Sequence, residues 1–275
     1  MTEIESVNNL RAVPFLKWAG GKRWLVKRYE NLFPSEYRTY IEPFVGSGAV
    51  FFHLNPEAAI LSDKNKELIN SYHAIKKDWR LVYAHLKNHN KNHSKDYYYK
   101  IRGSKPRSEF TKAARLIYLN RTCWNGLYRV NCKGEFNVPI GTKTNVILDT
   151  DNFHLISVTL SNTELLSDDF QNVIDKAQTD DFLFVDPPYT VKHKNNGFLK
   201  YNETLFSWED QVRLKESLLQ ANSRKAKILL TNANHKSIIN LYKNYFNIRT
   251  LTRKSIIAGQ PRFRNNCEEL VATNY

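Results

Sequence analysis

Asp186-Pro187-Pro188-Tyr189 combines residue types that could hold a planar amine. The tetrapeptide directly follows the apolar run at 181–185, which the pattern predicts to be a buried strand. Each proline fixes its φ and carries no N–H, so the turn is stiff and its carbonyl oxygens remain acceptors. Asp186 adds an anionic acceptor and Tyr189 a flat aromatic face. This set suits a base with an exocyclic amino group, and a plain Pro-Pro turn after a strand is the alternative.

A glycine turn and a later aspartate could bind a nucleoside. Gly46-Ser47-Gly48 follows a short strand pattern and precedes a helical segment, so a ligand could approach the backbone at the helix N-terminus. The third glycine of the dinucleotide fingerprint is absent because Phe51 stands there, which disfavours nicotinamide and flavin cofactors. Asp63 ends the next predicted strand, where an acidic residue receives ribose hydroxyls. The pattern favours a single-nucleoside cofactor such as S-adenosylmethionine, and a helix-capping Asp63 is the alternative.

The segment 17–22, Lys-Trp-Ala-Gly-Gly-Lys, contains two ammonium groups, an indole and two glycines. The glycines would let the loop fold tightly over a ligand, and Lys22 could pair with the carboxylate of a bound amino acid. A flexible loop before a helix is the alternative interpretation.

The segments 121–129 and 134–139 resemble a loop that reads DNA bases. Arg makes bidentate contacts to guanine in the major groove, Leu and Pro contact the thymine methyl group, and Trp can wedge into a base step. Core packing of Trp124 and Leu127 is the alternative.

Three histidines and three tyrosines of the basic region suggest other roles less strongly. His85, His89 and His93 have helical spacing and could form a metal site, but no acidic partner is obvious, so we favour a solvated helix and expect no metal. The tyrosines at 97–99, interleaved with lysines, could contact the nucleic-acid backbone or form part of a surface helix, and we favour the surface helix. The sequence contains no nucleophile-elbow Gly-x-Ser-x-Gly, no Gly-Lys-Ser/Thr phosphate loop and no His-Glu-x-x-His, so hydrolase and NTPase functions lack support.

Strands that alternate with helices predict an α/β fold with a mostly parallel sheet covered on both faces. We expect a catalytic domain from 1–75 and 163–275, with a mainly helical, basic domain inserted at 76–162. The last two strands could pair as an antiparallel hairpin at the sheet edge. The predicted strands begin at Tyr40 and continue with Ala59–Asp63, Thr163–Leu166, Asp181–Val185, Lys227–Asn232, 247–257 and 267–275; the predicted helices are Ala49–Leu54, Lys66–Ile75, Thr111–Asn120, Val173–Lys176, Ser207–Ala221 and Lys236–Tyr245.

The composition of the 275-residue chain indicates a folded protein with a polyanionic partner. The formal net charge is +14, and the segment 85–145 holds 13 Lys and Arg against Asp96, Glu109 and Glu135, which places +10 there. This concentration favours nucleic acid over a merely solvated basic surface.

Cysteine usage and hydropathy bear on location. The three cysteines have no paired spacing, which argues against a disulfide framework or a cysteine zinc site and fits a reducing cytosol. The stretch 1–13 has Glu3 and Glu5 and no apolar core, so we expect no signal peptide, and no run approaches the roughly 20 apolar residues of a membrane span. A soluble, cytoplasmic protein without a membrane partner is expected.

Several ordered motifs together resemble the DNA adenine methylase (Dam) family over about residues 14–275. They are 17–22, 42–48 (Glu-Pro-Phe-Val-Gly-Ser-Gly), Asp63, 125–129 (Asn-Gly-Leu-x-Arg), 167–170 (Ser-Asp-Asp-Phe), 186–189 and the terminal 268–275. The resemblance implies a Rossmann-like S-adenosylmethionine-dependent methyltransferase sheet with an inserted target-recognition domain. It also implies methylation of N6 of adenine in GATC.

The resemblance assigns roles to individual residues. Cofactor binding falls to Trp18, Ala19, Gly20, Lys22, Phe44, Gly46, Gly48, Asp63, Asp169, Phe170 and Asp186. DNA contacts fall to Lys17, Arg121, Trp124, Asn125, Leu127, Arg129, Asn131 and Pro139. Catalysis falls to Asp186, Pro187, Pro188 and Tyr189. Two departures stand out, since Trp124 is larger than the usual Tyr or Phe and the loop 190–202 is unusually basic.

The implied mechanism begins with a target adenine that flips out of the duplex. Tyr189 would stack on the base, while Asp186 and the Pro187 carbonyl would accept both N6 hydrogens. We expect a monomer acting on double-stranded DNA, and a companion restriction endonuclease is compatible with this. Two rivals remain: a methyltransferase for RNA or a protein amide nitrogen, and a non-enzymatic DNA-binding protein on a decayed scaffold, against which the intact Asp186, Tyr189, Asp63 and Lys22 argue.

Overall fold

The computed structural model describes residues 11–191, 206–254 and 266–275. The strands are β1 Tyr40–Glu42, β2 Ala59–Ser62, β3 Thr163–Leu166, β4 Phe182–Val185, β5 Lys227–Ala233, β6 Asn247–Lys254 and β7 Asn266–Thr273. The α-helices are α1 Arg23–Arg28, α2 Ala49–Leu54, α3 Lys66–Asn92, α4 Lys95–Gly103, α5 Glu109–Thr122, α6 Phe153–Thr159, α7 Phe170–Ile174, α8 Trp208–Ser223 and α9 Lys236–Tyr242. Glu30–Leu32 and Trp124–Gly126 are short 3₁₀ turns.

The strands form a seven-stranded sheet in the order β3-β2-β1-β4-β5-β7-β6. The pairs β1–β2, β1–β4 and β4–β5 are parallel, whereas β7 is antiparallel to both β5 and β6. The predicted α/β class and the antiparallel pairing of the last two strands are confirmed, and the sheet is consistent with a methyltransferase fold of the S-adenosylmethionine-dependent type. From β1 the chain adds β2 and β3 on one side of β1, and it then adds β4 on the other side. The strand order therefore reverses between β1 and β4. Ligands of open α/β sheets bind at such a switch point, beyond the carboxyl ends of the strands.

The central strands are apolar because neighbours cover both of their faces. All four residues of β4 are buried, and the same holds for most of β5. A continuous apolar run rather than an alternating one therefore marks these strands in the sequence.

Most predicted elements are present, and three helices differ from their predicted bounds by three residues or more. The helix predicted to end at Ile75 continues to Asn92 through a non-helical residue, Asp78 (φ −155°, ψ 90°). The helix predicted at 173–176 instead begins at Phe170, because Asp169 caps its N-terminus by accepting from Gln171 N. Helix α9 ends at Tyr242 rather than Tyr245. The predicted strand residues 255–257 and most of the loop at 190–202 lie outside the described residues.

The chain divides into two compact units. The first takes in the described residues up to Val26, Gly46–Glu57 and Asn65–Ser167, and the second takes in Lys27–Val45, Ala58–Lys64 and the described residues from Asp168 onward. The predicted insertion at 76–162 falls within the first unit, and its boundaries stay a prediction. Within the described ranges, no helix combines the length and apolarity that crossing a membrane requires.

Candidate functional site

In the second unit, the carboxyl ends of three parallel strands place polar and aromatic residues at one edge of the sheet. Phe44 follows β1, Asp63 follows β2 and Asp186 follows β4; all three are half-buried. Asp186 Oδ1 accepts a hydrogen bond of 2.7 Å from Thr231 Oγ1 of β5. This edge is therefore where the predicted catalytic carboxylate and the predicted ribose ligand lie.

Tyr189 is held at the same edge through its hydroxyl group. Its Oη donates to Glu269 Oε2 at 2.8 Å, and Arg253 Nε donates to the other carboxylate oxygen of Glu269 at 2.5 Å. Burial raises the pKa of Tyr189 well above its usual value, and the negative charges of Asp186 and Glu269 raise it further. The phenol therefore stays protonated, and Tyr189 offers a neutral ring beside a carboxylate. The adjacent Pro187 is buried and Pro188 is half-buried.

An aromatic cluster, also in the second unit, contains two residues that are predicted to bind the cofactor, Phe44 and Phe170. Phe44 stacks on Phe170 with ring centroids 5.5 Å apart, and Phe206 packs against both rings. The Arg213 guanidinium lies 4.3 Å from the Phe170 ring centroid and donates to both carboxylate oxygens of Asp169, at 2.8 and 3.0 Å. The predicted residues Phe44, Asp169 and Phe170 are thus brought together, and Arg213, which the sequence did not indicate, holds Asp169 in place.

In the first unit, the glycine turn packs directly on the segment 17–22. A Cβ on Gly46 would lie 2.7 Å from Trp18 Cδ1, and Gly46 has a φ of +48° that favours glycine. Tyr72 Oη donates to the Gly46 carbonyl at 3.0 Å, which fixes the turn from its other side. Lys22 is buried and donates through Nζ to the Gly20 carbonyl at 2.9 Å. Trp18 and Gly46 therefore pack directly against each other, and this contact leaves no space for a side chain at Gly46.

The predicted base-reading loop projects apolar side chains into solvent. Trp124 is 53% exposed and Leu127 is 40% exposed, so core packing does not explain them. Trp124 N donates to the Pro139 carbonyl at 2.9 Å, which joins the two predicted segments into one loop. Arg129 is exposed and donates through Nε to Asn137 Oδ1 at 2.9 Å.

Two other residues of this loop that are predicted to contact DNA, Asn131 and Asn125, lie in its turns. The side chain of Asn131 closes a turn, since its Oδ1 accepts from the backbone N–H groups of Lys133 and Glu135. Asn125 is exposed and adopts a left-handed conformation with φ 56° at the tip of the loop.

The prediction that Arg121 contacts DNA is corrected by the structure. Arg121 is only 4% exposed and donates to both oxygens of Asp151, at 2.6 and 2.7 Å. Further bonds reach the carbonyl groups of Phe15 and Val146. A basic residue next to the loop motif suggested a contact, but an acidic partner 30 residues later in the chain takes up its charge.

A cationic cavity of about 400 Å³ lies beside the same loop. Lys17, Arg23 and Lys143 line it with three threonines, and the lining residues among the described part of the chain include no carboxylate. Burial lowers the pKa of Lys17 to about 8, and the charges of Lys143 and Arg23 contribute to the shift. Arg121 also lines the cavity but is paired with Asp151, so the other three cations dominate its charge and favour an anion.

Asn120 connects Lys17 to the base-reading loop. Its amide donates to the carbonyl groups of Lys17 and Gly126 at 2.8 and 3.0 Å and accepts from Lys17 N at 2.9 Å. Asn120 follows the run Leu116-Ile-Tyr-Leu119 near the end of α5, and its contacts were not predicted from the sequence.

The histidines and tyrosines of the basic region form a packed cluster rather than a solvated helix. His89 Nδ1 hydrogen-bonds to Tyr97 Oη at 2.8 Å, and His93 Nδ1 to Tyr118 Oη at 3.0 Å. Burial lowers the pKa of His89 to about 4, so this ring is neutral at physiological pH. Tyr98 is also buried, so the predicted surface helix hides part of its face. No three His, Cys, Asp or Glu side chains in the described ranges are grouped to hold a metal ion.

Comparisons with known proteins give one consistent result. A family model described as "D12 class N6 adenine-specific DNA methyltransferase" matches residues 18–257. The chain is 38% identical to the Type II methyltransferase M1.LlaDCHI of Lactococcus lactis subsp. cremoris, with 98% of this chain and 97% of the relative covered. It is 35% identical to the Type II methyltransferase M.MjaIII of Methanocaldococcus jannaschii, covering 95% and 99%. It is 32% identical to a DNA adenine methylase of Haemophilus influenzae, covering 96% and 94%.

Proposed function

The chain belongs to the D12 class of N6 adenine-specific DNA methyltransferases, and we propose that it methylates an adenine flipped out of duplex DNA, in GATC, with S-adenosylmethionine as donor. The observation that supports this most is the pairing of an oriented carboxylate, Asp186, with the neutral aromatic ring of Tyr189 at the carboxyl end of β4. A carboxylate accepts from an exocyclic amino group and a ring stacks on a base, so this pair suits adenine.

The chain's own residues would activate N6 by orienting it. Inside a duplex the amino group is paired and stacked, so the base must leave the helix to reach this edge of the sheet. Asp186 and the Pro187 carbonyl would accept the two N6 hydrogens, which draws the nitrogen lone pair out of ring conjugation and makes it nucleophilic. Because Tyr189 stays protonated, no additional negative charge faces the base. Catalysis then depends on positioning and electrostatics.

The cofactor assignment rests on two local fits. S-adenosylmethionine supplies an electrophilic methyl group on a sulfonium when it is bound. In the first unit, we propose that Trp18, Ala19, Gly20, Lys22, Gly46 and Gly48 contribute to its binding, because a Cβ at Gly46 would collide with Trp18. In the second unit, we propose that the adenosine part of the cofactor is bound by Phe44, Asp63, Asp169, Phe170 and Asp186. Stacked aromatic rings and strand-end carboxylates suit an adenosine.

We propose that the first unit supplies the DNA contacts. Trp124, Leu127, Arg129 and Pro139 are exposed on one loop, with Asn125 at its tip, and the cationic cavity with Lys17 lies beside it. Arg129 would read guanine, with Leu127 and Pro139 at the next base pairs, which supports GATC. The segment 76–162 would then be the recognition domain and 1–75 with 163–275 the catalytic domain.

We further propose a monomeric enzyme that meets DNA in the cytoplasm. Two relatives carry the name Type II methyltransferase, which supports a companion restriction endonuclease as a partner. Light scattering of the free protein and of its DNA complex would test the monomer.

Transfer of a labelled methyl group from S-adenosylmethionine tests the proposal. Duplex DNA with one GATC, the matching RNA and a protein mixture are offered separately; label is expected in the duplex alone. Asp186→Asn should abolish transfer while DNA binding persists, whereas Asp175→Asn, at an exposed site, should act as wild type. Label in RNA or protein, or normal turnover in Asp186→Asn, would refute the proposed chemistry.

A further inference from the structure

We propose that Thr231 and Glu269 are positioning residues of this methyl transfer, Thr231 acting through Asp186 and Glu269 acting through Tyr189. The inference rests on the proposed function and extends it to two residues outside the 186–189 motif. Both lie on neighbouring strands of the second unit and reach the motif only through tertiary contacts.

Thr231 is a buried hydroxyl group that donates to the proposed catalytic carboxylate and also lies beside the Tyr189 hydroxyl. It lies on β5, where Leu230 pairs with Val185, the last residue of β4, so the next position along β5 stands beside Asp186. Its Oγ1 donates to Asp186 Oδ1 at 2.7 Å, and the side chain is fully buried. A hydrogen bond to an ionised group is among the strong ones and fixes the direction of the acceptor. Thr231 therefore sets the orientation in which Asp186 meets N6.

Glu269 is a buried carboxylate that bridges Arg253 and Tyr189. It lies on β7 opposite Ala233 of β5 and Leu251 of β6, and it is 2% exposed. A buried carboxylate is costly unless it is paired and hydrogen-bonded, and here Arg253 Nε at 2.5 Å and Tyr189 Oη at 2.8 Å satisfy one oxygen each. Arg253 thus anchors the carboxylate, and the carboxylate anchors the phenol, so the ring plane of Tyr189 is set from outside the motif.

The two contacts should affect different steps. Thr231 orients the group that accepts from N6, so its loss should slow methyl transfer without weakening DNA binding. Glu269 orients the ring on which the flipped base stacks, so its effect should depend entirely on the Tyr189 hydroxyl. If either residue were purely structural, its replacement would lower the stability of the protein. It would then produce neither a selective loss of methyl transfer nor an effect that depends on the Tyr189 hydroxyl.

The first test uses single-turnover rates of methyl transfer with a GATC duplex. Thr231→Val should lower the rate about 10- to 100-fold, the range expected for losing one hydrogen bond to a charged group, with the dissociation constant of DNA unchanged. Thr231→Ser keeps the hydroxyl and should restore most of the rate. Thr273→Val, a buried threonine of β7 remote from the motif in sheet register, is the matched control and should act as wild type. Thermal melting confirms that each variant is folded.

The second test is a double-mutant cycle. Tyr189→Phe and Glu269→Gln should each slow the reaction, and the double variant should be no slower than the slower single variant, because Tyr189→Phe removes the contact that Glu269→Gln weakens by removing the carboxylate charge. Additive effects would overturn the role of Glu269. A wild-type rate in Thr231→Val, or equal loss in Thr231→Ser and Thr231→Val, would overturn the role of Thr231. Failure of the proposed function is distinguishable, because the wild type would then leave adenine unmethylated in the same assay.

Discussion

At the scale of single residues, charge state and hydrogen bonding separate groups that look alike in the sequence. Asp186 follows a strand and Asp169 caps a helix, so both are carboxylates at the end of an element. The Thr231 hydroxyl orients Asp186, whereas the Arg213 guanidinium pairs with Asp169. Arg121 and Arg129 likewise belong to one basic stretch, and only Arg129 is exposed. The partner of each side chain, more than its type, therefore decides which residues remain available to a substrate.

Arg129→Ala should relax discrimination at the guanine of the target. The Arg129 guanidinium is exposed and does not pack in the core. Its loss should therefore cost about 1 to 3 kcal/mol of discrimination between bases without affecting the fold. Competition between a GATC duplex and duplexes altered at the guanine measures this. Unchanged discrimination would show that Arg129 does not read that base.

Lys17 should make DNA binding depend on pH. Its pKa is lowered to about 8 by burial and by the charges of Lys143 and Arg23, against a smaller opposing effect of Cys123. Lys17 is therefore protonated at pH 7 and largely neutral at pH 9, so affinity for DNA should fall as the pH rises across this range. Lys17→Met should bind more weakly at pH 7 and lose this part of the pH dependence. Equal pH profiles for the two proteins, measured at constant ionic strength, would contradict the assignment.

At the scale of elements, the base-reading loop depends on a close backbone approach. A Cβ on Gly141 would lie 2.5 Å from the Cys123 carbonyl oxygen, where the residues flanking Trp124 and Pro139 pair. A side chain at position 141 would therefore collide with the backbone at the start of the loop.

Gly141→Ala should displace the loop and weaken sequence-specific DNA binding, while binding of S-adenosylmethionine persists. Gly103→Ala is the matched control, because a Cβ there would meet open space. Calorimetry with the cofactor and gel shifts with the GATC duplex separate the two effects. Normal DNA binding by Gly141→Ala would contradict a rigid loop.

Elements with strong local patterns were predictable, and those fixed by distant partners were not. The helix Ala49–Leu54 and the strand Thr163–Leu166 have the predicted bounds, since turn residues flank short apolar runs. The continuation of α3 beyond Ile75 was missed because 76–92 is rich in polar residues. Thr231 and Glu269 gave no local signal, since their contacts arise only from the register of β4, β5 and β7. The motif residues were named from the sequence, but their supporting partners required the structure.

At the scale of the whole molecule, the net charge of +14 favours DNA while folding requires some of that charge to be neutralised internally. Arg121 and Asp151 form such a pair in the core of the first unit, where both side chains are nearly inaccessible to solvent. Its energetic role is stability, because removing one partner leaves the other charge buried.

Arg121→Ala should lower the free energy of unfolding by about 3 to 5 kcal/mol, the usual cost of breaking a buried ion pair. Denaturant unfolding measures this, with Arg129→Ala as a control of unchanged stability. The folded fraction of Arg121→Ala should keep the sequence preference of the wild type. A stable Arg121→Ala protein with altered specificity would instead support the original prediction that Arg121 contacts DNA.

The most direct test of the account is the position of the methyl group on DNA. An unmethylated plasmid is incubated with the protein and S-adenosylmethionine, and N6-methyladenine is mapped at single-base resolution. We expect N6-methyladenine at the adenine of GATC sites, on both strands, and none when Asp186→Asn replaces the wild type. Methylation of adenine in another sequence would contradict the GATC assignment, and methylation of another base or atom would contradict the proposed chemistry of the site.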